Sequence, residues 1–393
     1  MNSCLANYDS YRKNSVAGIV LVLTILFSGS CNNTRSENRL IFNNNSIISY
    51  AERLKIDIKE GYLQISIIDP WQGANGIQHM WYLVPRGSNP PEGIDPLKII
   101  YVPVRNIICM SATYLSMITA LHESGTITGI SGGAFLYDQN LIERFNNGLI
   151  RDIGYEDNLN KERIISINPD LIMVYGIGSE SAGYIGKIQE IGVKVLYNAD
   201  YLETDPLGRA EWIKLFGSLF CKEDLADEIF RAVEKEYNTL KTYISVKSVS
   251  RPCVLLGLPY RDTWYISPGN SYISRMIEDA GGNYLWKEKE SFVSMPFGIE
   301  NVYLKALEAD YWLNIGTINS KQQISAIDPR LEDFQCFKKG NLYNNNKRSN
   351  SAGGNDYWES GNINPHVILK DIASILHPEL FACHDLYYYR KIN

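Results

Sequence analysis

The strongest constraint on the fold of this chain is a pattern of short strand-like runs that alternate with helical segments on both sides of one long amphipathic helix. Before that helix the runs cover 98–111, 126–131, 170–176 and 193–198, and after it they cover 251–258, 262–267 and 310–316. Short apolar runs bounded by turn residues are typical of buried strands. Strands that alternate with helices predict parallel sheets with crossover helices. The sequence therefore predicts an α/β protein with two lobes.

The segment between the two lobes has the features of a stiff connecting helix. Asp205 followed by Pro206 is typical of a helix start, with a capping side chain before a proline at the first helical position. Between Glu223 and about Val246 the apolar residues recur on one helical face, at Leu225, Ile229, Phe230, Val233, Tyr237 and Leu240. At 1.5 Å per residue this helix is roughly 36 Å long. We expect it to join the lobes rigidly, so that the cleft between them is largely preformed.

The length of 393 residues also favours more than one domain. Between Gly61 and Arg86 the sequence predicts two strands around the loop "PWQGANG", and the prolines that follow enforce extended or turn geometry. The predicted organisation is an N-terminal β extension at 56–97, a first binding lobe at 98–205, bridging helices at 206–248 and a second binding lobe at 249–393.

The N-terminal segment has the layout of a secretory signal peptide. The apolar run 16–27 follows Arg12 and Lys13 and is shorter than the about 20 residues that a membrane-spanning helix needs. The small residues "SGS" then precede Cys31 and resemble a bacterial lipobox, in which the cysteine is acylated. We predict a lipoprotein signal peptide at 1–30, lipidation of Cys31 and a flexible tether at 31–55. The alternative is a stray cysteine in a transmembrane anchor.

Composition argues against nucleic acid as a partner and in favour of a tyrosine-rich binding surface. The chain carries 38 basic and 44 acidic residues, a net charge of −6, so it lacks the basic surplus of a nucleic-acid-binding protein. Its 26 tyrosines outnumber its 12 phenylalanines. Because tyrosine favours half-buried surfaces with one wet end, this excess is typical of a binding surface.

Several segments resemble one family when they are read in order. The segment "NLNKERIISINPDLIMVYG" (158–176) has a glutamate that leads an apolar helix and a Pro-Asp pair before a buried strand, and "GIENVYLKALEADYWLNIG" (298–316) repeats much of this arrangement. Both resemble periplasmic binding proteins that serve ABC importers of cobalamin, haem and ferric siderophores. "VPVRNIICMSATYLSMITAL", "GRAEWIKLFGSLF", "WYISPGNSYISRMIEDAGG" and "ILHPELF" resemble further parts, and the match covers about 98–381.

The resemblance implies a binding protein without catalytic activity or a cofactor. Its partners would be an ABC permease and ATPase complex and a metal chelate, namely a corrinoid, haem or a ferric siderophore. It further implies that Glu162 and Glu300 dock on the permease, that the protein is a monomer, and that it is periplasmic and lipid-anchored to a bacterial membrane. The few arginines near the predicted cleft favour a corrinoid over an anionic catecholate siderophore.

The candidate ligand-binding residues lie at the ends of predicted strands and in the loops next to them, and open α/β sheets bind ligands at such edges. In the first lobe they are Ser111, Tyr114, Ser131 and Gly132, and in the second lobe they are Trp264, Tyr265, Arg348, Tyr357 and Trp358. The aromatic residues among them would cover a flat ligand with rigid rings.

Two other functions remain open at this level. Gly129, Ser131 and Gly133 spell the nucleophile motif of α/β-hydrolases, with His366 and His377 later in the chain, which would make Ser131 the nucleophile of a lipoprotein esterase. Capture of a bare transition-metal ion would need three or four converging ligands, and the chain has only five histidines. No metal site is predicted.

Overall fold

The computed structural model describes residues 48–155, 158–176 and 181–393. All of them belong to one compact unit. The predicted signal peptide, the predicted lipidation site Cys31 and residues 31–47 of the predicted tether lie outside the described residues. Within the described part, no helix is both long enough and apolar enough to span a membrane.

The N-terminal β extension is a four-stranded sheet in the order β1-β2-β3-β4. Its strands are β1 (Leu54–Lys59), β2 (Tyr62–Ile68), β3 (Gln78–Pro85) and β4 (Ile99–Val102). The first three strands are antiparallel, and β4 runs parallel to β3. The predicted boundary at residue 97 is therefore too early, because the apolar run of β4 joins this sheet. Pro103 follows β4 and cannot donate a hydrogen bond to continue the strand pairing.

Residues 48–53 are bound to the protein, which corrects their assignment to a flexible tether. The buried carboxylate of Glu211 accepts hydrogen bonds from the backbone N–H groups of Ser49, Tyr50 and Ala51 at 2.7–3.0 Å. The carboxylate of Glu203 accepts the next two N–H groups, of Glu52 and Arg53, at 3.0 Å each. Side-chain acceptors distant in sequence thus satisfy the backbone of an irregular segment.

The first lobe contains a parallel five-stranded sheet in the order β7-β6-β5-β8-β9, as the alternating pattern predicts. Its strands are β5 (Ile107–Cys109), β6 (Ile127–Ile130), β7 (Arg151–Asp152), β8 (Leu171–Val174) and β9 (Val195–Tyr197). The helices are α1 (Leu115–Ala120), α2 (Gln139–Asn146), α3 (Lys161–Ile167) and α4 (Ser181–Gln189). All residues of β8 are buried, as expected for a central parallel strand.

The connection between the lobes consists of α5 (Pro206–Glu211), α6 (Ile213–Phe220) and α7 (Glu223–Lys247). The Asp205 side chain caps α5 by accepting from the N–H groups of Leu207 and Gly208. Helix α7 packs against α6 on the side of the first lobe and against α8 (Tyr272–Asp279) and α13 (Pro365–Leu376) of the second. The Tyr237 hydroxyl on α7 donates to the buried Asp279 carboxylate on α8 at 2.7 Å, so the long helix is fastened to the second lobe.

The second lobe contains two sheets. The main sheet, in the order β13-β10-β15-β16-β17, is parallel except for the edge strand β17. Its strands are β10 (Cys253–Leu256), β13 (Asn283–Tyr284), β15 (Tyr311–Leu313), β16 (Leu342–Asn344) and β17 (Arg390–Lys391). The second sheet is antiparallel and consists of β11 (Pro259–Tyr260), β12 (Thr263–Ile266) and β14 (Met295–Gly298). The further helices are α9 (Ile299–Ala306), α10 (Lys321–Ile327), α11 (Gln335–Lys339) and α12 (Asp356–Glu359). The predicted strand 262–267 is thus correct, but its place in a parallel sheet is wrong.

Candidate ligand-binding cleft

The carboxyl ends of the two parallel sheets face each other. The 3₁₀ turn Ala112–Tyr114, which follows β5 in the first lobe, packs against α12, which follows β16 in the second. Loops at the carboxyl edges of open α/β sheets are where such folds bind ligands. The opposed edges therefore define the candidate cleft.

A buried carboxylate ties the lobes together on one flank of this cleft. Glu359 on α12 accepts hydrogen bonds from the backbone N–H groups of Tyr137 at 2.7 Å and Asp138 at 2.8 Å. Nearby, the Asn350 side-chain amide donates to the carbonyl of Leu136 at 2.8 Å. Burial, together with the Asp138 and Asp356 carboxylates, raises the pKa of Glu359 to about 7, although the two backbone N–H groups oppose this shift. We call this group of contacts the inter-lobe latch.

Ser111 and Tyr114 differ in access to the cleft. Ser111 is half-buried and caps the 3₁₀ turn, with its hydroxyl accepting from the Thr113 N–H at 3.3 Å. Tyr114 is fully buried, and its hydroxyl has no hydrogen-bond partner among the described residues. Burial and the nearby Asp200 carboxylate raise the pKa of Tyr114. Tyr114 belongs to the core beneath the cleft, which corrects its assignment to the ligand wall.

Ser131 and Gly132 lie at the carboxyl end of β6, where two aromatic residues that sequence reasoning missed are exposed. Gly132 has a φ of +78°, and a Cβ there would lie 2.8 Å from the Tyr155 hydroxyl and 3.3 Å from the Phe135 ring. Only glycine combines this backbone with such close packing. Phe135 and Tyr155 are each about half exposed, and no periodic signal in the sequence marks them.

Trp264 is part of the core, which corrects its assignment to the ligand wall. Its ring stacks on Trp312 with centroids 5.7 Å apart, and its indole N–H donates to the Leu256 carbonyl at 3.0 Å. Tyr265 points to the other face of β12 and is 56% exposed. Tyr260, at the end of β11, is exposed as well and was not predicted.

The aromatic cluster after β16 also contains one buried and one exposed residue. Tyr357 is buried and packs edge-on against Tyr388 and Tyr389, which corrects its assignment to the ligand wall, whereas Trp358 is 54% exposed. Arg348 is half-buried, with its guanidinium 2.5 Å from the Asp356 carboxylate and 4.3 Å from the centre of the Tyr387 ring. Its charge is therefore largely engaged within the protein.

Glu162 and Glu300 both lie in the first turn of a helix, as predicted, and both are exposed. Glu162 on α3 borders a surface cavity of about 670 Å³, whose lining also includes Arg151, Asp152 and Arg163. The Glu300 carboxylate is 3.1 Å from Arg330, which also pairs with Asp328 at 2.7 Å. The two glutamates thus differ, because among the described residues Glu300 pairs with an arginine and Glu162 does not.

The alternative functions find little support in this geometry. Ser131 is followed by a 3₁₀ turn, Gly133–Phe135, where the hydrolase motif requires a helix. His366 lies 3.4 Å from Glu236, and the buried His377 contacts the Gly281 carbonyl. Within residues 48–155, 158–176 and 181–393, no group of three or more His, Cys, Asp or Glu residues is placed to hold a metal ion.

Comparison with known proteins agrees with the fold. Residues 107–344 match the family described as periplasmic binding protein. A lipoprotein of Methanocaldococcus jannaschii is 30% identical over 308 residues, which cover 76% of this chain and 71% of the relative. A periplasmic haem-binding protein from Pseudomonas aeruginosa has a TM-score of 0.57 at 13% identity over 74% of this chain and 98% of that chain. An ABC-type Fe³⁺-hydroxamate transport protein from Saccharomonospora viridis has a TM-score of 0.51 at 16% identity over 71% and 93%.

Two α/β lobes joined by one long helix, with facing carboxyl edges, have the fold of the helix-linked class of binding proteins. The match over residues 107–344 and the 30% identical relative lead to the same result. The chain belongs to the periplasmic binding protein family.

Proposed function

We propose that this protein captures a metal chelate of the corrinoid, haem or ferric-siderophore type outside the cytoplasm and delivers it to an ABC importer. The observation that carries this proposal is the set of exposed aromatic side chains on the segments that follow strands of the two parallel sheets. These are Phe135 and Tyr155 in the first lobe and Tyr260, Tyr265 and Trp358 in the second. Rigid rings of this kind suit a large ligand with an extended flat surface.

The charge of the cleft favours a corrinoid or another weakly charged macrocycle. Arg348 is engaged by Asp356, and Arg151 donates to the Ser166 hydroxyl at 3.0 Å. Arg261 is exposed and stacks over the ring of Tyr260 at 5.3 Å. A catecholate siderophore carries several negative charges and would need more unengaged cations than these three arginines offer.

Delivery rests on the two glutamates and on the lipid anchor. Glu162 and Glu300 would bind arginines of the permease, and Cys31 would carry the lipid that keeps the protein at the membrane. The exposed first-turn positions of both glutamates support the former, and the lipoprotein relative supports the latter. The inter-lobe latch and α7 support a cleft that is largely preformed and moves little on binding.

Calorimetry of the full-length protein in detergent micelles tests the ligand class. Titration with cobalamin, haemin and ferric desferrioxamine should give saturable binding to at least one of them. Trp358→Ala should lower that affinity about fivefold, because an aromatic contact with the ligand is worth on the order of 1 kcal/mol. Tyr243→Ala is the matched control, since Tyr243 is an exposed aromatic on α7 that packs on Phe381. Absence of binding to all three compounds would refute the proposal.

A further inference from the structure

The loop of residues 69–77, between β2 and β3, brings the N-terminal extension to the carboxyl edge of the first-lobe sheet. Trp71 forms a parallel β-bridge with Gly176, which follows β8. Its ring also lies 5.7 Å from that of Tyr197, the last residue of β9. A segment outside the two lobes therefore borders the edge at which the ligand is expected.

Hydrogen bonds within the 69–77 loop and from Arg53 constrain its shape. The Asp69 N–H donates to the Ile77 carbonyl at 2.8 Å, and the Ile77 N–H donates back to the Asp69 carboxylate at 2.9 Å. Arg53 donates to the Asp69 carbonyl at 2.8 Å, and the Ala74 N–H donates to the Trp71 carbonyl at 3.0 Å. These bonds give the loop a fixed shape and hence a fixed position for Trp71.

The same loop also reaches the second lobe. The Gln72 side-chain amide lies 3.4 Å from the carbonyl of Phe292, in the segment between β13 and β14. This contact and the inter-lobe latch lie on opposite flanks. In the first lobe, the latch segment 136–138 follows β6 and Gly176 follows β8, and these two strands lie on either side of β5. In the second lobe, the latch residue Glu359 follows β16 and Phe292 follows β13, and these two strands lie on either side of the pair β10 and β15. The two contacts thus bracket the middle of the cleft.

The 69–77 loop is uncharged around Trp71 and combines apolar with amide side chains. Residues 71–77 contain no charged side chain, and the Asp69 carboxylate is turned toward the loop backbone. Behind Trp71 stands His79, with ring centroids 5.8 Å apart. Burial, and secondarily the Lys98 charge, lower the pKa of His79, which favours the neutral imidazole. This surface offers an indole face and amide groups to a ligand.

We infer that the 69–77 loop is a third wall of the ligand cleft and that Trp71 gives this wall a preference for a flat, weakly charged macrocyclic chelate. The inference rests on the proposed function for the ligand class. The position of the wall between the two lobes does not depend on it.

The binding arm of the test measures Kd by calorimetry on the full-length protein. Trp71→Leu keeps an apolar side chain against Tyr197 but removes the flat ring, and it should weaken binding of cobalamin or haemin at least fivefold. Trp71→Phe restores a ring and should recover most of that loss. Ile58→Ala is the control, because Ile58 is exposed beside the β1–β2 turn at the far end of the same sheet. Macrocycle binding unchanged by Trp71→Leu would overturn the inference, and so would wild-type binding of ferric desferrioxamine alone.

The second arm needs no ligand. Gln72→Cys together with Phe292→Cys should be joined by a short bismaleimide, identified by mass spectrometry of the linked peptides. Ile58→Cys together with Phe292→Cys should not be joined. If none of the three chelates binds, the proposed function and the macrocycle preference both fail, while cross-linking still decides whether the wall exists. Failure of the 72–292 pair to cross-link would show that the loop does not close the cleft.

Discussion

The inter-lobe latch should make the stability of this protein depend on pH through one carboxyl group. Glu359 is buried, and its pKa is raised from 4.5 to about 7. A group with a higher pKa in the folded state binds its proton more tightly there, so its contribution to stability is complete below pH 4.5 and is lost as the pH rises through 7. Between pH 5 and pH 8 this corresponds to about 2 to 3 kcal/mol in the free energy of unfolding.

The variant Glu359→Gln isolates this contribution, because glutamine keeps the side-chain size but cannot titrate. Urea unfolding of the full-length protein at several pH values should show that the difference between wild type and variant changes by about 2 to 3 kcal/mol from pH 5 to pH 8. The change should make the wild type relatively more stable at pH 5. Using the difference cancels other titrating groups, such as the buried Asp200, whose pKa is raised to about 6 mainly by burial.

The exposed Glu308→Gln serves as the control and should leave the pH profile of wild type unchanged. The reasoning would be refuted if the difference in unfolding free energy between wild type and Glu359→Gln stayed constant within about 0.5 kcal/mol from pH 5 to pH 8. Surface substitutions alone produce differences of that size. Such a constant difference would mean that Glu359 is solvated rather than buried between the lobes.

The remaining predictions concern docking, the N-terminal segment and the anchor. Glu162→Ala should reduce uptake of the bound chelate in cells about tenfold or more, and Glu300→Ala should reduce it less because Arg330 already pairs with that carboxylate. The ligand affinity of both variants should stay within about twofold of wild type. Equal uptake by wild type and both variants would show that neither glutamate docks on the permease. Glu211→Ala should lower the free energy of unfolding by about 3 to 5 kcal/mol, since its buried carboxylate also holds Lys214 at 2.9 Å, whereas the exposed Glu228→Ala should have little effect in the same urea titration. Cys31→Ser should move the protein from the membrane fraction to the soluble fraction or leave it uncleaved, and identical fractionation and palmitate labelling of both proteins would contradict the lipidation.

Local patterns in the sequence were sufficient for the long connecting helix and for most strands of the first lobe. Helix α7 was predicted from Glu223 to about Val246 and runs over Glu223–Lys247. The parallel sheet of the first lobe follows from buried runs separated by helices. Both predictions succeed because helix and strand periodicity, capping and turns depend on neighbours that are close in the chain.

Exposure of individual side chains was decided by tertiary structure. Trp264 and Tyr265 are adjacent and both aromatic, yet one is in the core and the other is exposed, because successive residues of β12 point to opposite faces. Tyr357 and Trp358 divide in the same way. The sequence placed Trp264 and Tyr265 in a strand, as observed, whereas Tyr357 and Trp358 were expected in a loop and lie in α12. Composition alone does not reveal which face of an element packs on the core.

Long-range pairing was likewise beyond the reach of sequence reasoning. Glu359 binds the backbone of Tyr137 and Asp138 across more than 200 positions, and Trp71 pairs with Gly176. No local signal in the sequence marks either contact. The sequence by itself determined the elements and their alternation, because these follow from local backbone preferences. Tertiary structure alone decided which loops meet, because that choice depends on how the whole chain buries its apolar surface while satisfying its buried polar groups.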